Sequence, residues 1–131
     1  MEDQMRSAVD DVVTAIIQKW STAFNRLDAA ALAALYANNA FFYGSKSLLY
    51  RGRDGVAAYF NALPRWTSPA VQFDVATALV SPDVINVAGT ASFVVEEGAE
   101  PLLVKITWVL VQQEGGWKIA SHHVSSRTPL L

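Results

Sequence analysis

The chain has 131 residues, no cysteine, 52% hydrophobic residues and a net charge of -2 from ten Lys plus Arg against twelve Asp plus Glu. That content supplies the core of one domain spanning 1–131, excludes disulfides, thiolate metal sites and a cysteine nucleophile, and offers no basic field for a nucleic-acid backbone. The acidic start MEDQMRSAVDD lacks the apolar stretch of a secretion signal and no run of about 18 apolar residues exists to span a bilayer, so the expectation is a cytoplasmic protein with no membrane or nucleic-acid partner.

Val9, Val12, Val13, Ile16, Ile17, Trp20, Phe24 and Leu27 recur at steps of three and four, which predicts an amphipathic helix from Gln4 to Leu27. Asp28 is placed to cap a second helix through AAALAALYA, ending near Asn38 and Asn39, which tolerate left-handed geometry. AFFYG reads as a short strand and SKSLLYRG as irregular chain. Asp54 then caps a third helix through GVAAYFNAL, stopped by Pro64.

After Pro69 the texture changes to β-branched and alternating. VQFDVATALV, DVINVAGTASFVVEE, LLVKITWVLVQQ and WKIASHHVSSR predict an antiparallel meander of four strands, broken at Ser81-Pro82-Asp83, at Gly98 to Pro101 and at Glu114-Gly115-Gly116. Gly89 marks a bend or bulge in the second of these strands. Helices followed by strands give an α+β domain, with three N-terminal helices covering one face of a curved, mostly antiparallel sheet. The strands Val84 to Glu96, Leu102 to Gln113 and Trp117 to Arg127 read as apolar on both faces, and helices cover only one. The other face is therefore expected to bury itself in a homodimer.

His122 and His123 are the only imidazoles, and adjacent strand residues face opposite sides. A two-residue Glu114-Gly115 turn pairs Trp108 with Ser121 and puts His123 on the Trp108 face. A three-residue loop with a glycine bulge pairs Trp108 with Ala120 and puts His122 there. The bulged loop is preferred, which makes His122 the inward histidine and the candidate catalytic residue, a general acid or base titrating near neutral pH. Ser125 and Ser126 stand beside the histidines without a nucleophile elbow or an orienting acid. Two diverging histidines with no acidic cluster predict no metal site, and nothing in the chain calls for a cofactor. Asp74, the one acid inside an apolar strand, faces outward by alternation with Val71, Phe73 and Val75. Asp83, Glu96, Glu97 and Glu100 read as turn or loop residues.

The order of elements, with AFFYG, the helix start GRDGVAAYF at Gly52, the strand VAGTASF, and EGGWKIASHHVSS ahead of Pro129, resembles the nuclear transport factor 2-like superfamily. The likeness covers nearly the whole chain and lies nearest to small SnoaL-like proteins and to the association domain of calcium/calmodulin-dependent protein kinase. It implies a cone whose sheet wraps around the first helix, a cavity at the open end and a homodimer. It also implies an apolar, aromatic-lined pocket for an unidentified small organic ligand, with isomerase, dehydratase or cyclase chemistry as one reading and a non-catalytic association module as the other. Within such a pocket Tyr43, Tyr59, Trp108, His122 and His123 are the candidate ligand contacts, and Arg53, which flanks Gly52 with Arg51, is placed to meet a carboxylate at the mouth.

Overall fold

The computed structural model describes residues 2–63, 70–94, 98 and 100–130. Among the described residues three helices, α1 (Glu2–Asn25), α2 (Ala29–Ala33) and α3 (Gly52–Asn61), accompany six strands: β1 (Tyr36–Tyr43), β2 (Tyr50–Arg51), β3 (Ala70–Ser81), β4 (Val84–Val94), β5 (Leu102–Gln113) and β6 (Gly116–Ser126). The strands form one open sheet in the order β2-β1-β6-β5-β4-β3. β3 to β6 are the antiparallel meander, β2 pairs antiparallel with β1, and β1 runs parallel to β6. The α+β architecture is thus the one that the sequence pattern indicates, with α1 packed on β3 and α3 on β1.

The first helix follows its period. Val9, Val13, Ile16, Trp20, Ala23 and Phe24 are buried, and they meet inward side chains of the sheet such as Ile85, Val87, Ile106, Trp108, Leu110 and Ile119. It ends at Asn25, two residues before the expected Leu27, which takes a left-handed turn (φ 55°). There the Asp28 amide bonds back to the Ala23 carbonyl, five residues earlier, closing the helix end. Asp28 does cap α2, accepting from the Ala31 amide at 3.0 Å. Replacing it with Ala is expected to lower unfolding stability by about 1 kcal/mol, read from a urea midpoint.

Three local expectations need correction. α2 stops at Ala33 rather than near Asn38, because Tyr36 and Ala37 are pulled into β1 and fully buried. The alanine run favours helix locally, but burial of a tyrosine outweighs a propensity of tenths of a kcal/mol per residue. Asp54 does not cap α3. The helix starts at Gly52, its N-cap is Arg51 with no side-chain bond, and Asp54 lies in the first turn, where its charge suits the helix dipole. The helix stop at Pro64, together with Trp66, Glu96 and Glu97, lies outside the described residues.

Gly89 is not a bulge either. It pairs in unbroken register with Val75 and Ile106. A glycine is required because a Cβ there would collide with the Asp74 carbonyl oxygen and come within 2.7 Å of Val75 Cα. Asp74 is exposed, as alternation requires. The outward sheet face mixes polar and apolar residues, with Leu103 on β5 47% exposed. It presents Asn86, Ala88 and Thr90 on β4, Lys105 and Thr107 on β5, and Ser125 on β6, with exposed aromatic surface at Phe41 and Tyr43 on β1.

Candidate ligand-binding site

The hairpin between β5 and β6 decides which histidine reaches the interior. Its turn has two residues, with Gln113 paired to Gly116 and positive φ at both Glu114 (57°) and Gly115 (78°), the geometry that matches strand twist. The three-residue bulged loop is therefore overturned. His122 nevertheless pairs with Trp108, because the bulge lies inside β6. Leu110 pairs with Ile119 and Val109 with Ser121, leaving Ala120 as the extra residue. That insertion resets the alternation by one position, so Ile119 and His122 both point inward although they are three residues apart.

His122 is 4% exposed and is the one polar or charged residue among the buried described residues. Its Nδ1 lies 2.9 Å from Trp108 Nε1, which donates to it, and 2.8 Å from Tyr36 Oη. Trp20 Nε1 in turn donates to Tyr36 Oη at 3.0 Å. Phe42, on the neighbouring strand, lies over the imidazole with centroids 4.2 Å apart. Four elements thus supply one polar knot: α1 gives Trp20, β1 gives Tyr36 and Phe42, β5 gives Trp108 and β6 gives His122. Burial, and then the nearby His123, holds the imidazole down at about 3, so the ring is neutral in ordinary buffers. Burial likewise pushes the Tyr36 hydroxyl far above its usual range, against the opposing hydrogen bond from Trp20.

His122 lines a chamber of about 120 Å3 whose walls are mainly aromatic, including Trp20, Phe42, Tyr59, Phe60 and Phe93. A second, more open cleft of about 670 Å3 adjoins it and shares Gly44, Ser45, Leu102, Val104 and Val124 with it. The chamber therefore opens between the end of β1 and the start of β5. At its mouth Tyr59 Oη accepts the Ser45 amide at 2.8 Å and lies 2.8 Å from Ser45 Oγ. Gly44 has no room for a side chain, since a Cβ would run into the Tyr59 ring.

The expected site residues divide into three groups. His122 and Tyr59 line the chamber, and Trp108 stands behind His122, holding its inner nitrogen. Tyr43 and His123 are exposed, pair across β1 and β6 on the outer face, and bring their rings within 5.6 Å of each other. Arg53 is elsewhere again. Its Nε donates to the Tyr36 carbonyl at 2.8 Å and its Nη2 pairs with Glu114 at 3.2 Å, which fastens α3 to β1 and to the hairpin turn. The Glu114 carboxyl is held below its usual range by Asn38 first and Arg53 second. Trp20, Tyr36, Phe42 and Ser45 complete the site and were not singled out from the sequence. Among the described residues no three His, Asp or Glu side chains converge, and no helix is long and apolar enough to cross a membrane.

The fold recurs in solved structures. One, assigned as a calcium/calmodulin dependent protein kinase II association domain from Xanthomonas campestris, matches with a TM-score of 0.78 and 21% identity, over 91% of this chain and 87% of that one. A domain of unknown function with a cystatin-like fold from Nostoc punctiforme PCC 73102 gives 0.79 and 16%, over 94% and 80%. Hexachlorocyclohexane dehydrochlorinase LinA-type3 from Novosphingobium barchaimii LL02 gives 0.75 and 18%, over 96% and 91%. Identities this low establish the shared α+β fold and transfer no residue roles. No curated protein sequence matches the chain. The SnoaL-like domain profile covers residues 13–129, nearly the full length, and the chain belongs to the SnoaL-like domain family, within the nuclear transport factor 2-like superfamily.

Proposed function

We propose that the chain binds a small, mainly apolar organic molecule, with one ring in the inner chamber against His122 and any remainder in the outer cleft. The observation that carries this reading is the His122 imidazole, 4% exposed at the wall of an apolar chamber. The chamber, at about 120 Å3, is close to engineered apolar cavities of roughly 150 Å3 that take up benzene. It is well below the roughly 300–1,000 Å3 of drug-sized sites, so the inner end holds a single ring. His122 touches this ring, Tyr59 stands at the mouth, and Trp108 keeps His122 oriented.

Isomerase, dehydratase or cyclase chemistry asks for an acid or base in the pocket; no Asp or Glu is among the described residues lining this one, and the Nδ1 of its imidazole, His122, is engaged by Trp108 and Tyr36. Binding is therefore preferred to turnover. An open apolar chamber likewise favours a ligand over the purely associative module, whose interior has no reason to stay unfilled. Trp20 lines the chamber, so tryptophan emission should change saturably on titration with toluene or cyclohexanone. No change with either compound would remove this reading.

The same chain is proposed to form a homodimer through the outer sheet face. Phe41 and Tyr43, 49% and 42% exposed, stand there beside His123 and small residues such as Ala88 and Thr107, which let a second sheet approach closely. The likeness to an assigned association domain supports this. Light scattering at micromolar concentration is expected to give twice the mass of one chain, and Phe41→Glu with Tyr43→Glu to give one. A single-chain mass for the unaltered protein would contradict the dimer.

A further inference from the structure

We infer that His122 serves the chamber as a fixed hydrogen-bond donor through Nε2 and thereby selects neutral, single-ring ligands that carry a hydrogen-bond acceptor, above all a ring ketone. The inference rests on the ligand-binding reading above and gives it a ligand class.

The tautomer follows from the partners of Nδ1. An indole N–H only donates, so Trp108 Nε1 at 2.9 Å requires a lone pair on Nδ1. Tyr36 Oη at 2.8 Å faces the same nitrogen. With Nδ1 holding a lone pair, the Tyr36 hydroxyl donates to it, while the same oxygen accepts from Trp20 Nε1. A neutral imidazole has one N–H and one acceptor nitrogen. With Nδ1 committed as acceptor, the proton sits on Nε2. A proton on Nδ1 would set two N–H groups against each other across 2.9 Å.

Nε2 makes no hydrogen bond to the described residues, yet no buried side-chain nitrogen or oxygen among them is left without a partner. Nε2 is therefore open to space, and the chamber is the space that His122 lines. Tyr36 and Trp108, which hold the opposite nitrogen, do not line it. A nearly buried N–H without a protein acceptor costs free energy until something accepts from it. Around it stand Trp20, Phe42, Phe60 and Phe93, which carry no charge. A carboxylate entering here would lose its water against a neutral ring, and an ammonium would face an N–H. A carbonyl oxygen loses less hydration and receives the bond.

His122 has its lone pair turned away from the ligand and covered by Tyr36 and Trp108, so it does not take a proton from a molecule in the chamber. It polarises an acceptor instead.

The test uses the unaltered protein with 15N-labelled histidine. In long-range 1H–15N spectra at pH 7, His122 is expected to show an unprotonated Nδ1 and a protonated Nε2, and the same pattern at pH 5. A protonated Nδ1, or an imidazolium at pH 5, would overturn the inference. Cyclohexanone and methylcyclohexane are then added separately. The ketone should move the Nε2 proton downfield, with a downfield shift of its own labelled carbonyl carbon, while the hydrocarbon binds without moving that proton downfield. Binding of both with no such difference overturns the donor role and leaves the chamber as a ligand site. Binding of neither removes the ligand reading and this inference together.

Discussion

Lowering the pH from 7 to 4 is expected to remove about 3 kcal/mol of folding stability through His122 alone. The folded imidazole is held at about 3 by burial and by His123, whereas the unfolded one titrates near its ordinary 6.5. Between those values the unfolded chain binds a proton that the folded chain does not. The contribution is therefore intact above about 6.5, falls by about 1.4 kcal/mol per pH unit below it, and levels off near 3. Glu114, whose folded carboxyl is held low, acts in the same direction as the pH falls through the carboxylate range. It is common to the parent and any His122 variant, so the comparison isolates the histidine.

His122→Leu should remove that slope while lowering stability at pH 7 by about 2–5 kcal/mol, because the Trp108 N–H and the Tyr36 hydroxyl lose their buried acceptor. Urea unfolding at pH 7, 5.5 and 4 checks both parts. Parallel pH slopes for parent and variant would mean that the buried ring is not neutral in the folded state.

Gly89→Val carries the second large effect, with an expected loss of about 3 kcal/mol or more. The added Cβ meets the Asp74 carbonyl and the Val75 Cα at 2.7 Å, backbone atoms of the adjoining strand rather than the movable end of a side chain. Relief requires β3 and β4 to part along a paired register. Gly116→Ala is the matched control, since a Cβ there meets nothing within 4 Å and it is not among the glycines with positive φ. Its midpoint in guanidinium should stay within about 0.5 kcal/mol of the parent. A Gly89→Val midpoint equally unchanged would mean that the two strands have slack at that crossing.

The long-range plan was legible because hydrophobic period carries it. α1 and the meander each present a face whose burial is worth far more than any local preference, so Val9 to Phe24 and the alternation around Trp108 announce themselves. What was not legible depends on single residues placed by tertiary contacts. Ala120 has no feature that marks a bulge, yet it decides that His122 rather than His123 turns inward. Tyr36 follows an alanine run that reads as helix, and only its place between Trp20 and His122 reveals it as part of the polar knot. Arg53 flanks a glycine at a helix start, a position that suits an anion contact, and the structure instead uses it to tie Tyr36 and Glu114 together. Gly89 resembles a strand breaker in sequence, whereas its role is close approach of two backbones.

A ligand in the chamber beneath His122 has to pass Val124, which borders both the chamber and the outer cleft. Calorimetric titration of cyclohexanone into the parent protein and into Val124→Trp checks whether it does. A tryptophan there fills the passage while leaving His122 and its Nδ1 partners in place. Binding at one site per chain in the parent, weakened at least about tenfold in a folded Val124→Trp protein, is the predicted result, corresponding to about 1.4 kcal/mol. Equal affinity in the two proteins would place the ligand outside the chamber.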